Sequence, residues 1–284
     1  MPQVRKVINM IKIENTVTPS PKQWQATIRG TRNPMNSWGK SDSQFWPGHM
    51  RIGENDLDLM KRLIKAGTDH SKFMRFLPVM VDITAPLYWW SEYDTYKVGT
   101  VANRCSTMHK IHAKRFERED FSIEHLLNCD EHHWMVCMDN IIASMNVARE
   151  KYLETKDKKY WWQMIQLLPS SYNQKRTVML NYAVLRNIYH ARAGHKLNEW
   201  QQFREWIESL PYSELITMDS VPKSNKDKIA DLSEILKSDK LIREAFCGSV
   251  ASALYEIPDG VDLSVQEIAE RITNRVVGDE NGSN

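Results

Sequence analysis

The apolar positions of this chain follow two rhythms. Between Leu77 and Trp90 (LPVMVDITAPLYWW), Val79, Val81 and Ile83 alternate with other residues, the period of a strand with one buried face. Pro86 is placed to end that strand or to open the next element. From Asn55 to Ala66 (NDLDLMKRLIKA) the spacing is helical, and Gly67 supplies the stop. Residues 1–20 hold a candidate first strand, VRKVINMIKIEN, whose spacing fits a helix nearly as well. Residues 20–55 are rich in Pro, Gly, Ser and Asn and read as loops. Within them, Ile28-Arg29-Gly30-Thr31-Arg32 is a candidate ligand loop, with surface structure the plainer reading.

Residues 121–160 run without Pro or Gly and predict one long helix. Residues 158–168 are very apolar and predict another, buried one. The stretch from Leu168 to Trp206 opens on the turn Pro169-Ser170-Ser171 and then reads as a long helix. Val178, Leu185, Ile188 and Tyr189 would share one stripe of it, and Asn181, Asn187 and Arg192 recur as polar positions. Gly194 stops it, and a second, Trp-rich amphipathic helix follows. Past Pro211 the texture changes. SVPKSNKDK, at residues 220–228, reads as a solvated linker, and short helices are expected beyond it. The expected organisation is therefore one domain over 1–219 and a linker with a helical extension over 220–284.

Composition narrows this picture in a few places. A formal charge of +2 over 284 residues gives no case for a nucleic-acid-coating protein. No apolar run reaches membrane-spanning length, so no membrane partner is expected. MPQVRKVINMIKIEN is too short and too charged for a signal peptide. Four scattered Cys point to reduced thiols and a cytoplasmic setting.

Cys129, His132, His133 and Cys137 have the residue types of a metal site. On the continuous helix predicted there, they cannot wrap one ion, and a structural zinc needs four tetrahedral ligands. No metal is expected on that ground. His109 and His112 are a candidate catalytic pair, with an ordinary surface or core role favoured. Cys105 beside Arg104 is a candidate activated thiolate, with a buried, inert thiol favoured because no base is visible. There is no Walker A loop, no G-x-G-x-x-G and no G-x-S-x-G. Two features remain. Lys97, Arg104 and Lys110 sit among hydroxyls and Gly99 in the 91–112 segment, which suits a phosphate. The amides and guanidinium of 168–206 suit a ligand with both donors and acceptors, such as a flavin or a nucleotide.

Several segments, taken in order, resemble the flavin-dependent thymidylate synthases. They are KAGTDHSKFMRF, VMVDITAPLYWW and SEYDTYKVGTVANRCS, then Leu168-Pro169 with Asn181, Leu185, Asn187 and Arg192 in ungapped register, and His195 and Glu199 after one deletion. The likeness spans roughly residues 25–210. Aligned from Pro86, the family's R-H-R triplet falls on Thr95-Tyr96-Lys97, and its following Ser falls on Thr100. Glu92 stands where the family has Gln, and Arg104 where it has an acid.

The resemblance implies an α/β (α+β) domain with an antiparallel or mixed sheet and long helices, assembled as a homotetramer. It implies FAD as cofactor, with NADPH and methylenetetrahydrofolate as co-substrates, and reductive methylation of dUMP at C5. By the same resemblance Arg192 meets the uracil, while Tyr96 and Thr100 stand near the nucleotide. Ser71, Lys97, Asn103, Asn181 and Asn187 would hold the cofactor. Two other readings stay open: a flavin- and nucleotide-binding relative that modifies another pyrimidine, and a non-catalytic binding or assembly protein on the same scaffold.

Overall fold

A computed structural model describes residues 10–127 and 133–219 of the chain. The linker and helices expected over 220–284 lie outside the described residues. In order the elements are β1 (Lys12–Val17), α1 (Pro21–Arg32), β2 (Gln44–Trp46), β3 (His49–Arg51), α2 (Glu54–Lys65), β4 (Pro78–Pro86), α3 (Leu87–Tyr93) and β5 (Val101–Arg104). The short α4 (Thr107–Lys110), α5 (Trp134–Thr155), α6 (Lys158–Leu167), β6 (Asn173–Asn181), α7 (Tyr182–Ala191), α8 (Asn198–Glu208) and α9 (Glu214–Thr217) complete it. Four strands form one sheet in the order β1-β4-β6-β5, every pairing antiparallel, and β2 and β3 make a separate hairpin. This is the antiparallel form of the expected α+β class.

The alternation in β4 has the predicted effect. Val79, Val81, Ile83 and Ala85 are buried, and Met80, Asp82 and Thr84 point the other way. Each buried Val or Ile contributes about 1.5–3 kcal/mol of hydrophobic stabilisation. On the outer face Asp82 ties three strands together, accepting from Asn15 of β1 and Thr177 of β6 and pairing with Lys175. The hydrogen bonds from Thr177, Asn15 and Lys175 hold its carboxyl down at about 2. Against the inner face packs an aromatic block. Trp89 of α3 lies 4.7 Å from Trp200 of α8 and 5.6 Å from Phe203. A second cluster, with Ile111, Phe116, Phe121, Met145 and Met164, lies under α5 and α6.

Several expectations are corrected. The long helix read from Leu168 to Gly194 is two elements, β6 and α7, while α8 is the second helix expected after Gly194. β6 buries Gln174, Arg176, Val178 and Leu180 on alternate positions. Two of those four are polar, so the strand's period is invisible to hydropathy. Arg176 is affordable inside because its Nε donates to Gln174 Oε1 (2.9 Å), its Nη1 to Asp94 (2.7 Å), and its guanidinium lies 4.1 Å from the centroid of the Trp90 ring.

Residues 21–32, read as loop, are helix α1. Ser20 and Gln23 form a capping box around Pro21, and this local signal outweighs the Gly and Pro content. The supposed ligand loop is its last turn, with Ile28, Thr31 and Arg32 buried. Arg32 donates to Asp56 of α2 at 2.5 Å, inside the fold. The helix expected from residue 121 begins only at Trp134, because Phe121 bridges to Tyr172 as extended chain. Cys137 alone of the metal-type residues Cys129, His132, His133 and Cys137 is shown on that helix. Cys129 and His132 lie outside the described residues, and His133 precedes the first turn of the helix on which Cys137 is exposed, with no side-chain capping bond. α6 is a helix as expected, but only Met164 is fully buried in it. Cys105 is exposed, not buried.

No helix among the described residues is long and apolar enough to cross a membrane.

Candidate functional site

α3 runs out of the sheet at Pro86, its first turns held by Leu87 N–H to Tyr172 O and Tyr88 N–H to Ser170 O, both 3.0 Å. Its buried face carries Trp89, Trp90 and Tyr93, which leaves Glu92 at the edge, beside α8. There one carboxylate oxygen, Glu92 Oε2, accepts a hydrogen bond from Trp200 and lies in ion-pair contact with Arg192 and His195. Trp200 Nε1 lies at 2.9 Å, Arg192 Nη1 at 3.0 Å and His195 Nε2 at 3.1 Å. His195 Nδ1 accepts from the Leu197 N–H at 3.2 Å, which assigns its proton to Nε2, facing Glu92. Arg192 also donates through Nε to the Tyr96 hydroxyl at 2.9 Å, and its guanidinium lies 4.5 Å from the centroid of the Trp200 ring. Gln201 pins the α7–α8 turn by donating to the carbonyls of Arg192 and His195.

The turn after α3 supplies the rest. Thr95 donates to Glu92 O, and Thr100 donates to Tyr96 O at 2.7 Å, folding 95–100 into a compact loop. Gly99 has φ +77, and an added Cβ would lie 3.1 Å from Asn181 Nδ2 and 3.3 Å from Val184. Asn181 is not on a helix face. It ends β6 and caps α7, its side chain accepting from the Val184 N–H at 3.0 Å. Gly99→Ala is expected to cost about 1–3 kcal/mol, from a left-handed backbone and the close approach to α7. Thermal melting checks this. A variant melting with the wild type would show that the turn yields freely.

Among the predicted residues, the fold thus joins Tyr96 to Arg192 directly and brings Thr100 and Lys97 into the same turn, close to Asn181. Lys97 is exposed. Asn187 is exposed on α7, five residues before Arg192. Asn103 is exposed on β5, paired in register with Thr177. Ser71 begins the turn Lys72–Phe76, its hydroxyl 3.4 Å from Thr68 O; nothing among the described residues ties it to the Arg192 cluster.

Sequence reasoning left out Glu92, Trp200 and Gln201 as site residues, and it noted His195 only for its register. Glu92 was visible as the acid standing where the family that the sequence resembles has Gln, a charge change that asks for a partner.

Beside this cluster opens a cleft of about 850 Å³, lined by Tyr88, Glu92, Ser170, His195, Lys196 and Leu197. Tyr88 donates to the buried Glu199, and burial together with that carboxylate pushes its hydroxyl well above the usual tyrosine range. It stays protonated at all working pH values. Among the described residues no group of His, Cys, Asp and Glu is placed to hold a metal ion.

No family model and no curated relative matches the sequence. The fold is that of the flavin-dependent thymidylate synthases. Among the solved structures that share it are two of thymidylate synthase X from Helicobacter pylori with FAD and dUMP. Each superimposes with a TM-score of 0.51 at 16% identity and covers 74% of this chain, and 96% and 97% of the respective neighbours.

Proposed function

We propose that this chain is a divergent flavin-dependent thymidylate synthase, which binds FAD and a pyrimidine nucleotide and reductively methylates dUMP at C5. The observation that supports this most is the Tyr96–Arg192 contact. It unites the two separate halves of the sequence resemblance in one cluster on the shared fold.

The donor set suits a flavin. Asn187 offers an exposed amide that both donates and accepts, Lys97 an exposed cation for a diphosphate, and Asn103 and Ser71 further polar groups. Asn181 contributes differently, capping α7 through its Oδ1 while its Nδ2 reaches Gly99 O of the 95–100 turn at 3.5 Å. FAD, when bound, would supply hydride chemistry drawn from NADPH, with methylenetetrahydrofolate as the carbon source.

The protein's own part is orientation and electrostatics. Arg192 has Nε on Tyr96 and Nη1 on Glu92, so Nη2 remains as a donor for a pyrimidine carbonyl, drawing electron density from the ring. Tyr96 accepts from Arg192, which leaves its own O–H to donate to a ligand. Thr100 spends its proton on Tyr96 O and keeps lone pairs to accept. Assembly into a homotetramer belongs to the same proposal.

A second reading, a relative acting on another pyrimidine, is favoured by Glu92. Its carboxylate neutralises Arg192 where the related family has an amide.

The test is the absorption spectrum of purified protein titrated with FAD, followed by dUMP-dependent reoxidation of the reduced flavin. A bound flavin band that weakens in Asn187→Ala is the expected result. Absence of flavin binding would sink both enzyme readings and leave a scaffold protein. Binding without dUMP-dependent reoxidation would favour the second.

A further inference from the structure

Glu92 has two oxygens in very different situations. Oε2 is held by Arg192, His195 and Trp200. Oε1 has no hydrogen-bond partner among the described residues, and it is not one of the buried unpartnered atoms, so solvent reaches it. The side chain is 34% exposed and lines the cleft. The result is a carboxylate held at one oxygen by a hydrogen bond from Trp200 and by ion-pair contacts with Arg192 and His195, with its other oxygen reached by solvent on a residue that lines the cleft. It needs no rearrangement to bind, and an ionised carboxylate cannot donate.

We infer that Glu92 is a specificity-determining residue of this cleft, accepting through Oε1 the N–H of an imide edge. An imide places one N–H between two carbonyls. Ser170 and Lys196 line the same cleft and supply a hydroxyl and an ammonium as donors for those carbonyls. This inference rests on the pyrimidine and flavin reading above, and it adds what that reading does not contain, the group that selects the ring. Uracil carries an imide edge, and so does the flavin ring. A ring that turns an acceptor toward Glu92 meets repulsion between lone pairs. An N-methylated imide loses the bond and collides with the carboxylate. Hydrogen bonds to charged acceptors make this discrimination about 10–100-fold in affinity.

Calorimetric titration of the full chain tests it with two matched pairs: 2′-deoxyuridine against 3-methyl-2′-deoxyuridine, and lumiflavin against 3-methyllumiflavin. The expected result is that one pair shows the 10–100-fold preference for the free N–H, and the pair that does so names the occupant. In Glu92→Ala that preference falls to near unity. Equal affinity of parent and methylated rings in both pairs overturns the inference, as does binding of neither pair, or a preference that survives in Glu92→Ala. If the alanine variant does not fold, the wild-type comparison still decides. FAD binding without imide discrimination would leave the proposed function standing and remove Glu92 from it. Discrimination on deoxyuridine without FAD binding would do the reverse.

Discussion

Asp56→Ala is expected to destabilise the protein by about 3–5 kcal/mol, the loss typical when one member of a buried ion pair is removed. Asp56 is 1% exposed and Arg32 3%. The Asp56 carboxylate accepts from Arg32 at 2.5 Å, from Ser41 at 2.7 Å, and from the hydroxyl and N–H of Ser43 at 2.5 and 3.2 Å. Alanine would leave the Arg32 charge buried with the Ser37 carbonyl and hydroxyl as its remaining partners, its Nη2 having none even now. It would also remove the Ser41 and Ser43 bonds to α2, leaving Asp42, which accepts from the Asn55 and Asp56 N–H groups, to hold the 41–43 segment.

The pH dependence follows from the same contacts. Burial opposes ionisation, but the hydrogen bonds from Ser43, Ser41 and Arg32 outweigh it, and the Asp56 pKa is lowered. A carboxyl depressed in the folded state contributes its stability above its unfolded value, near 4, and loses it as pH falls through the folded value. Urea denaturation at neutral pH and at successively lower pH checks both statements. The difference between wild type and Asp56→Ala should shrink in acid. The exposed pair Arg62–Asp58 serves as the contrast: Asp58→Ala should cost under about 0.5 kcal/mol. Equal effects at the two sites would show that the buried pair carries no special weight.

Arg192→Ala is expected to lower dUMP-dependent flavin reoxidation by about 10²–10³-fold, the range seen when one preorganised donor to a reacting carbonyl is removed. The change also strips Glu92 of its cationic partner and Tyr96 of a donor. Arg192→Lys should recover little, because an ammonium cannot bond Tyr96 and Glu92 in the fixed fork of a guanidinium while stacking on Trp200. Steady-state kinetics of both variants, with thermal melting as a fold control, makes the comparison. Wild-type turnover in folded Arg192→Ala would remove this residue from the chemistry.

Parts of the fold were legible in the linear pattern for local reasons. In β4 apolar residues fall on alternate positions, and in α2 they recur at helical spacing before Gly67, whose φ of +108 favours glycine. α1 was equally local, through Ser20, Pro21 and Gln23, but composition hid it. β6 could not be read this way. Its inward positions Gln174 and Arg176 are polar, and they are tolerable only because Asp94 and Trp90 come from a distant part of the chain.

The sequence by itself determined the α2 and β4 elements, the aromatic content of the core, and the ungapped series Asn181, Leu185, Asn187 and Arg192 that resembles the flavin-dependent thymidylate synthases. It carried Arg192 and Tyr96 as separate candidates. Only the tertiary structure decided that these two touch across 96 positions, that Trp200 reaches Glu92 across 108, and that Asn181 is a cap and not a helix-face amide. The physical reason is that a hydrogen bond forms only near 3 Å, whereas no local pattern encodes which distant partner comes that close. The β4–β6 register and the packing of α3 on α8 set those distances, and with them the fixed carboxylate at the cleft.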